Sequence, residues 1–323
     1  MKTARRGPGH CLVVIVIVAA VGLTPPLLWG QQVSLPPVDL GATSFMDGVG
    51  GPGVFLQEIL GPYHASKFTG AAGQTLPGSN TLTAMGTITE LAYTSSKFRL
   101  LGGYYCTELL IPLAHVDVRT DLGIRGSDGG LGDIIYAPLM VQWPEHKIFG
   151  KTIFQRFDAD LIFPTGEYSH NRPVNLGNNL FSFNPNYSIT LFLMPKLETT
   201  WRLHYLWNSR NSDPSPVYNA GSIQPGQATH FNASVSYLLR PKLRLGVAGY
   251  YLKEVTDPKI GRVSTINQRE LIGAIGPGLW VAAKPLEIYA HAFIEMGAEN
   301  RPQGVRFMVR LAKVFPKKQQ SRK

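Results

Sequence analysis

The stretch LFSFNPNYSITLFLMPKLETTWRLHYLWN, residues 180–208, decides the fold. Phe181, Phe183, Tyr187, Ile189, Leu191 and Leu193 occupy odd positions, with Ser182, Asn184, Asn186, Ser188 and Thr190 between them. Successive strand side chains point to opposite faces, so one face is apolar and the other polar. After Met194-Pro195-Lys196 the pattern returns: Trp201, Leu203, Tyr205 and Trp207 alternate with Glu198, Thr200, Arg202, His204 and Asn208. A turn at that tripeptide sets Leu193 against Leu197, Ser188 beside Arg202 and Asn186 beside His204. A one-residue slip would mix the faces.

The pattern spreads in both directions. THFNASVSYLL (229–239) opposes Phe231, Val235, Tyr237 and Leu239 to His230, Asn232, Ser234 and Ser236, and IFQRFDADLIF (153–163) sets Phe157, Leu161 and Phe163 against Arg156, Asp158 and Asp160. Strand-like runs also fall at 53–66, 81–95, 98–111, 132–143, 242–254, 269–283, 285–297 and 303–315. That makes twelve strands, most of them long enough to cross the apolar layer of a bilayer, which takes about 9–11 tilted residues. Their links alternate. SSKF, WPEHKIFG, MPK, RPK and AK are the shorter ones, while 67–80, 112–131, 164–179, 209–227 and 255–268 are long, and the final AENRP is brief. The expected fold is all-β: an antiparallel up-and-down transmembrane barrel of about twelve strands, of the outer-membrane type, with both ends of the barrel on the tight-turn side.

Four segments follow. Residues 1–30 read as a secretory signal, with Lys2, Arg5 and Arg6 before the apolar run CLVVIVIVAAVGL, although the cleavage motif leaves an uncleaved anchor as the alternative. Residues 31–52, rich in Gly and Pro, are expected to plug the periplasmic end. Residues 53–315 form the barrel and 316–323 a basic tail. The formal charge of +10 is concentrated at the two ends, and without the three signal and four tail cations the rest carries 24 basic and 21 acidic side chains. That balance offers nothing to nucleic acid. Cys106 is the one cysteine beyond the signal, so no internal disulfide is expected.

Alternation alone does not say which face is wet. A soluble periplasmic β-barrel would turn the apolar face inward around a hydrophobic ligand. Here bulky aromatics crowd one face near strand ends, and Arg, Asp, Asn and His share the other, an arrangement costly in a dry interior and easy in a watered one.

The motifs SDGGLGDIIYAPLM, LIFPTGEYS, RPVNLGNNLFSFNP, GYYLKEVTD, AIGPG and GAENRPQGVRF, in this order, resemble the outer-membrane proteins of the phenol meta-pathway degradation family. The resemblance covers most of residues 45–315. It implies an outer-membrane barrel linked to aromatic catabolism that passes hydrophobic compounds, with outer-membrane lipid and the barrel-assembly machinery as partners. It carries over no catalytic residue. PKKQQSRK, following Phe315, departs from the family pattern, in which the chain ends on the last strand.

Candidate site residues fall into two groups. Arg156, Asp158, Asp160, Asn184, Asn186, Arg202, His204, Arg306 and Arg310 lie on the polar face and are expected to line and tune the lumen. FPTGEYSHNRPVNLGNN (163–179) is expected to be an outer loop that folds inward as a gate, through His170, Arg172, Asn175, Asn178 and Asn179. Competing readings are weaker. GSDGGLGD (126–133) lacks the features of a phosphate loop or a repeated calcium turn. Asp158 and Asp160 suit an ion-pair ladder with Arg156 and Arg202 better than paired-carboxylate hydrolysis. Ser188, His204 and Asn186 would have to serve a lipid-esterase barrel from inside the lumen. The expectation is a channel for small, hydrophobic or aromatic solutes, with no catalytic residue, cofactor or metal.

Overall fold

Strands that are apolar on one face and polar on the other have one way to satisfy every backbone group within a bilayer, which is to close on themselves. The computed structural model describes residues 32–43 and 45–317. Its strands are β1 (Gly53–Phe68), β2 (Asn80–Leu100), β3 (Gly103–Thr120), β4 (Arg125–Leu131), β5 (Ile135–Ile148), β6 (Lys151–Ile162), β7 (Ser182–Met194), β8 (Leu197–Asn208), β9 (Ile223–Gln224), β10 (Ala228–Arg240), β11 (Leu243–Glu254), β12 (Lys259–Ile260), β13 (Val263–Ser264), β14 (Leu271–Ala283), β15 (Leu286–Glu299) and β16 (Pro302–Pro316). β4 and β5 both pair with β3 and together act as one wall strand. β1 pairs with β2 on one side and with β16 on the other, from Gly53 opposite Pro316 to Phe68 opposite Pro302. The result is a closed antiparallel barrel of twelve wall strands. β9, β12 and β13 form a small separate sheet within the long loops.

The expected register holds where the polar faces meet: Asn186 is opposite His204, and Ser188 opposite Arg202. Nearer the turns it shifts. Met194, not Leu193, is opposite Leu197, and Arg240, not Leu239, is opposite Leu243, each beyond a local irregularity in the ladder.

Three expected links are misplaced. The SSKF segment is a bulge inside β2, where Ser95 Oγ accepts the backbone N–H groups of Lys97 and Phe98, and the chain turns later at Leu101-Gly102. Both turn residues have positive φ, 49° and 80°, as does the pair Phe149-Gly150 at 49° and 75°, which replaces the longer WPEHKIFG link. Such pairs match the twist of a hairpin, so the strands run on to meet them. The expected loop 112–131 is also mostly strand, because β3 continues to Thr120 and pairs with β4.

The apolar face points outward. Trp201, Leu203 and Tyr205 are 43%, 47% and 41% exposed, whereas their inward neighbours Thr200 and His204 are buried. This orientation contradicts the inward-facing ligand sac of a soluble binding barrel. Exposed aromatics mark both rims: Tyr136, Tyr205 and Trp207 towards the long loops, and Tyr93, Phe98, Tyr237 and Phe315 towards the tight turns.

Candidate lumen site

Residues 32–43 and 45–52 lie inside the barrel and run along it rather than capping one end. Tyr218 of a long loop donates its hydroxyl to Gln32 O at 3.0 Å, and Leu35 N donates to Glu270 Oε1 at 2.9 Å, both beside the long loops. Burial, with Tyr168 beside it, pushes the Tyr218 hydroxyl up to about 12, so it remains a donor. Midway, Gly41 N donates to Asn232 Oδ1 and Asn232 Nδ2 to Asp39 O. Lower down, Phe45 packs with Trp280, Tyr289 and Ala312, and Gly48 N donates to Thr190 Oγ1 at 2.9 Å before the chain enters β1 at Gly53. A side chain at Gly48 would meet Thr190 N at 2.9 Å, so only glycine fits this close to the wall without a shift.

Two aspartates of this segment organise the charges. Arg156 donates through Nε to Asp158 Oδ1 at 2.9 Å and through Nη1 to Asp47 O at 3.0 Å. Arg202 Nη2 donates to Asp158 Oδ2 at 2.8 Å and its Nε to Asn186 Oδ1 at 2.8 Å, while its Nη1 stands 3.7 Å from Asp39 Oδ2 and 3.9 Å from Asp47 Oδ2. Arg310 donates through Nη1 to Ala42 O and through Nε to Gln57 Oε1, with Asp47 Oδ1 at 3.8 Å. Three guanidiniums from β6, β8 and β16 thus converge on one carboxylate of the inner segment. Removing either sign would leave buried charge uncompensated, which makes the cluster a strong clasp whatever its net stabilisation.

The remaining candidates separate by position. Asn186 Nδ2 donates to Asp160 Oδ2 at 2.9 Å, and Asn184 Oδ1 meets His230 Nε2 at 3.0 Å. His204 stacks on His230, with ring centroids 4.0 Å apart. Arg306 stands apart, over the Tyr63 ring at 4.8 Å, and does not line the large cavity. Ser188, fully buried, faces Asp47 Oδ2 at 3.3 Å, so the Ser188, His204 and Asn186 set is not assembled for nucleophilic attack.

In the long loop after β6, Asn178 donates through N and Nδ2 to Asp133 Oδ2, and Gly166 N to Asp133 Oδ1. Arg172 Nη1 donates to Asp128 Oδ1 at 2.5 Å and Leu176 N to Asp128 Oδ2 at 3.0 Å. The acidic glycine run 126–133 therefore supplies acceptors to a neighbouring loop. Gly166 and Gly177 cross so closely that a Cβ on Gly166 would lie 2.8 Å from Gly177 Cα. Asn175 ties the loop to itself through Ser169 and Arg172 O, and His170 and Asn179 tie it to Asp213 and Asn211 of the next loop.

Beside the inner segment a cavity of about 680 Å³ remains. Its lining reaches from Leu176 and Asn178 beneath the long loops to Gly53 and Val314 at the tight-turn end. Ile59, Ile88, Leu110, Pro112, Ile135 and Ile162 make much of its wall apolar, and Arg156, Asp160, Asn184, Arg202 and Arg310 border it together with Glu90 and Glu108. The sequence reading missed Asp39, Asp47, Glu90, Glu108 and His230 as members. Only His230 carried a usable signal, since it lies on the same polar face as Asn232.

A family described as "Putative MetA-pathway of phenol degradation" matches residues 65–311. The chain belongs to that family. Among solved structures it is similar to an outer membrane channel from Pseudomonas putida F1, with TM-score 0.72 and 16% identity over 87% of this chain and 100% of that one. It is less similar to the transport unit of the autotransporter AIDA-I from Escherichia coli, with TM-score 0.47 and 10% identity over 82% of this chain and 91% of that one. At these identities the first likeness bears on the fold alone, and the second carries no argument. No curated protein matches the sequence.

Proposed function

We propose that this family member is a passive outer-membrane channel for small hydrophobic or aromatic solutes, narrowed by residues 32–52 acting as a plug along the bore and by the loop 163–179 acting as a gate at its mouth. The observation that carries the reading is the cavity beside the inner segment, because its lining reaches towards both ends and is apolar on one side. An apolar wall facing a polar, charged one suits a small organic solute with an apolar body and a polar end better than a hydrated ion. The family description points to the aromatic class. In this reading residues 1–30, which lie outside the described residues, direct export, and the assembly machinery inserts the barrel among outer-membrane lipids. The tail residues 318–323 also lie outside the described residues.

The test is single-channel recording in planar bilayers with the mature chain and with a form lacking residues 32–50. The mature chain is expected to give small discrete conductance steps that phenol or benzoate reduces and glucose does not. Silence from the mature chain alongside conduction by the shortened form would replace an open channel with a closed one. Silence from both would end the channel reading.

A further inference from the structure

The tight-turn end of the barrel carries exposed charge of nearly one sign. Each of its five hairpin turns presents exposed cations: Lys97 and Arg99 before the β2–β3 turn, Lys147 and Lys151 on either side of the β5–β6 turn, and Lys196 in the β7–β8 turn. Arg240 and Lys242 flank Pro241 between β10 and β11, Lys284 lies between β14 and β15, and Lys317 follows β16. The acids of this end mostly face the bore: Glu198 is buried, and Glu287 accepts hydrogen bonds from Trp280 Nε1 and the Tyr289 hydroxyl. Among the described residues Glu145 is the exposed carboxylate here. The long-loop end is different. There Arg119, Arg125, Arg172, Arg269 and Arg301 pair with Asp117, Asp121, Asp128, Asp257 and Glu270, whereas none of the tight-turn cations forms an ion pair among the described residues.

Apolar side chains stand in the open beside these cations. Phe98 is exposed between Lys97 and Arg99, Leu101 at the next corner is 77% exposed, and Phe149, between Lys147 and Lys151, is 99% exposed. A turn bathed only in water gains nothing from side chains so placed. At a bilayer surface the apolar group enters the headgroup layer while the cation on its long stem meets phosphate. Arg99 lies over the Tyr104 ring at 3.9 Å and Lys313 over the Phe315 ring at 4.6 Å, which holds charge beside the exposed aromatics of this rim.

We propose that the tight-turn rim binds anionic phospholipid headgroups, of the phosphatidylglycerol class, in the adjoining leaflet. Unpaired cations take a net-negative headgroup in preference to a zwitterionic one, whose own cation offsets the phosphate. The inference uses the membrane setting of the barrel and is independent of what the bore carries.

Trp143 is a built-in reporter, since it lies on the outer face beside Tyr187 with Nε1 donating to Leu101 O at 3.0 Å. Trp201→Phe and Trp207→Phe remove the other outward-facing indoles of the described residues, and Trp280 lines the cavity. This form of the mature chain is reconstituted in phosphatidylcholine, with brominated phosphatidylglycerol or brominated phosphatidylcholine as quencher. The anionic lipid should quench Trp143 with a relative binding constant about threefold or more above the zwitterionic one at low salt, and about 1 M KCl should remove most of the difference. Lys97→Gln, Arg99→Gln, Lys147→Gln and Lys151→Gln combined, in barrels checked by heat-modifiable gel migration, should bring the ratio near one. Lys253→Gln, exposed at the long-loop end, should leave it unchanged. Equal quenching by the two lipids overturns the proposal, as does a preference that survives high salt or the quadruple substitution. If the substituted barrel does not fold, the salt titration alone decides. Equal quenching in a barrel that retains soluble polyglutamate, and loses it with the quadruple substitution, would assign the rim to an acidic protein instead.

Discussion

The two sides of the bore arise from the same alternation and end differently. On the β6–β10 side the inward residues are polar and engaged: Arg156, Asp158, Asn186 and Arg202 hold one another and, through Asp39 and Asp47, the inner segment. On the β1–β5 side Ile88, Leu110, Pro112 and Ile135 face open space, interrupted by Glu90 and Glu108. The segment lies where hydrogen-bond partners are dense, and the cavity is left where they are sparse. Buried polar groups need partners and apolar ones do not, so the wall's chemistry selects which side is filled.

The largest effect expected from breaking this contrast comes from removing residues 32–50. The shortened barrel should show a severalfold larger single-channel conductance, because the segment takes up much of the bore. An unchanged conductance would mean that the segment leaves the bore in the working protein.

Next comes the clasp. Arg202→Ala leaves Asp158 without one of its two guanidiniums and weakens the hold on Asp39 and Asp47. Breaking a buried pair costs about 3–5 kcal/mol, so denaturant unfolding in detergent should show a loss of that order. In the form lacking 32–50 the same substitution should cost clearly less, since two of the carboxylates are gone. Equal costs in both backgrounds would show that Arg202 braces the wall and does not grip the segment.

The wall was legible and its contents were not. Ser188 beside Arg202 and Asn186 beside His204 follow from period-two patterning and one turn, which are local signals. SSKF misled because a bulge and a turn draw on the same small polar residues, and the true corner, Leu101-Gly102, has a leucine in a left-handed conformation that composition does not advertise. Asp39 and Asp47 lie in a stretch with no periodicity and meet partners more than 100 positions away. Only the closed barrel brings them together.

A smaller effect is expected at the mouth. Deleting 168–178 removes Leu176 and Asn178 from the top of the cavity but leaves the inner segment in place. Conductance should rise, by less than on deleting 32–50. Asp133→Ala, which releases Asn178 and Gly166, should raise the frequency of gating events without changing the fully open level. A larger rise from the loop than from the segment would move the constriction from the bore to the mouth.

The smallest effect tests the open side itself. Around the cavity the carboxylates of Asp39, Asp47, Glu90, Glu108, Asp133, Asp160 and Glu287 outnumber the guanidiniums of Arg156, Arg202 and Arg310. Charged side chains lining a pore set its ion preference, so the small ionic current should favour K⁺ over Cl⁻. Glu108 stands on the apolar side, within electrostatic reach of Arg156 and Asp158 of the clasp, and Glu108→Gln should move the zero-current potential in a KCl gradient part of the way towards zero. If the potential does not move, ions pass along the gripped side and the apolar side carries only uncharged solute. That outcome would divide the bore by cargo as well as by chemistry.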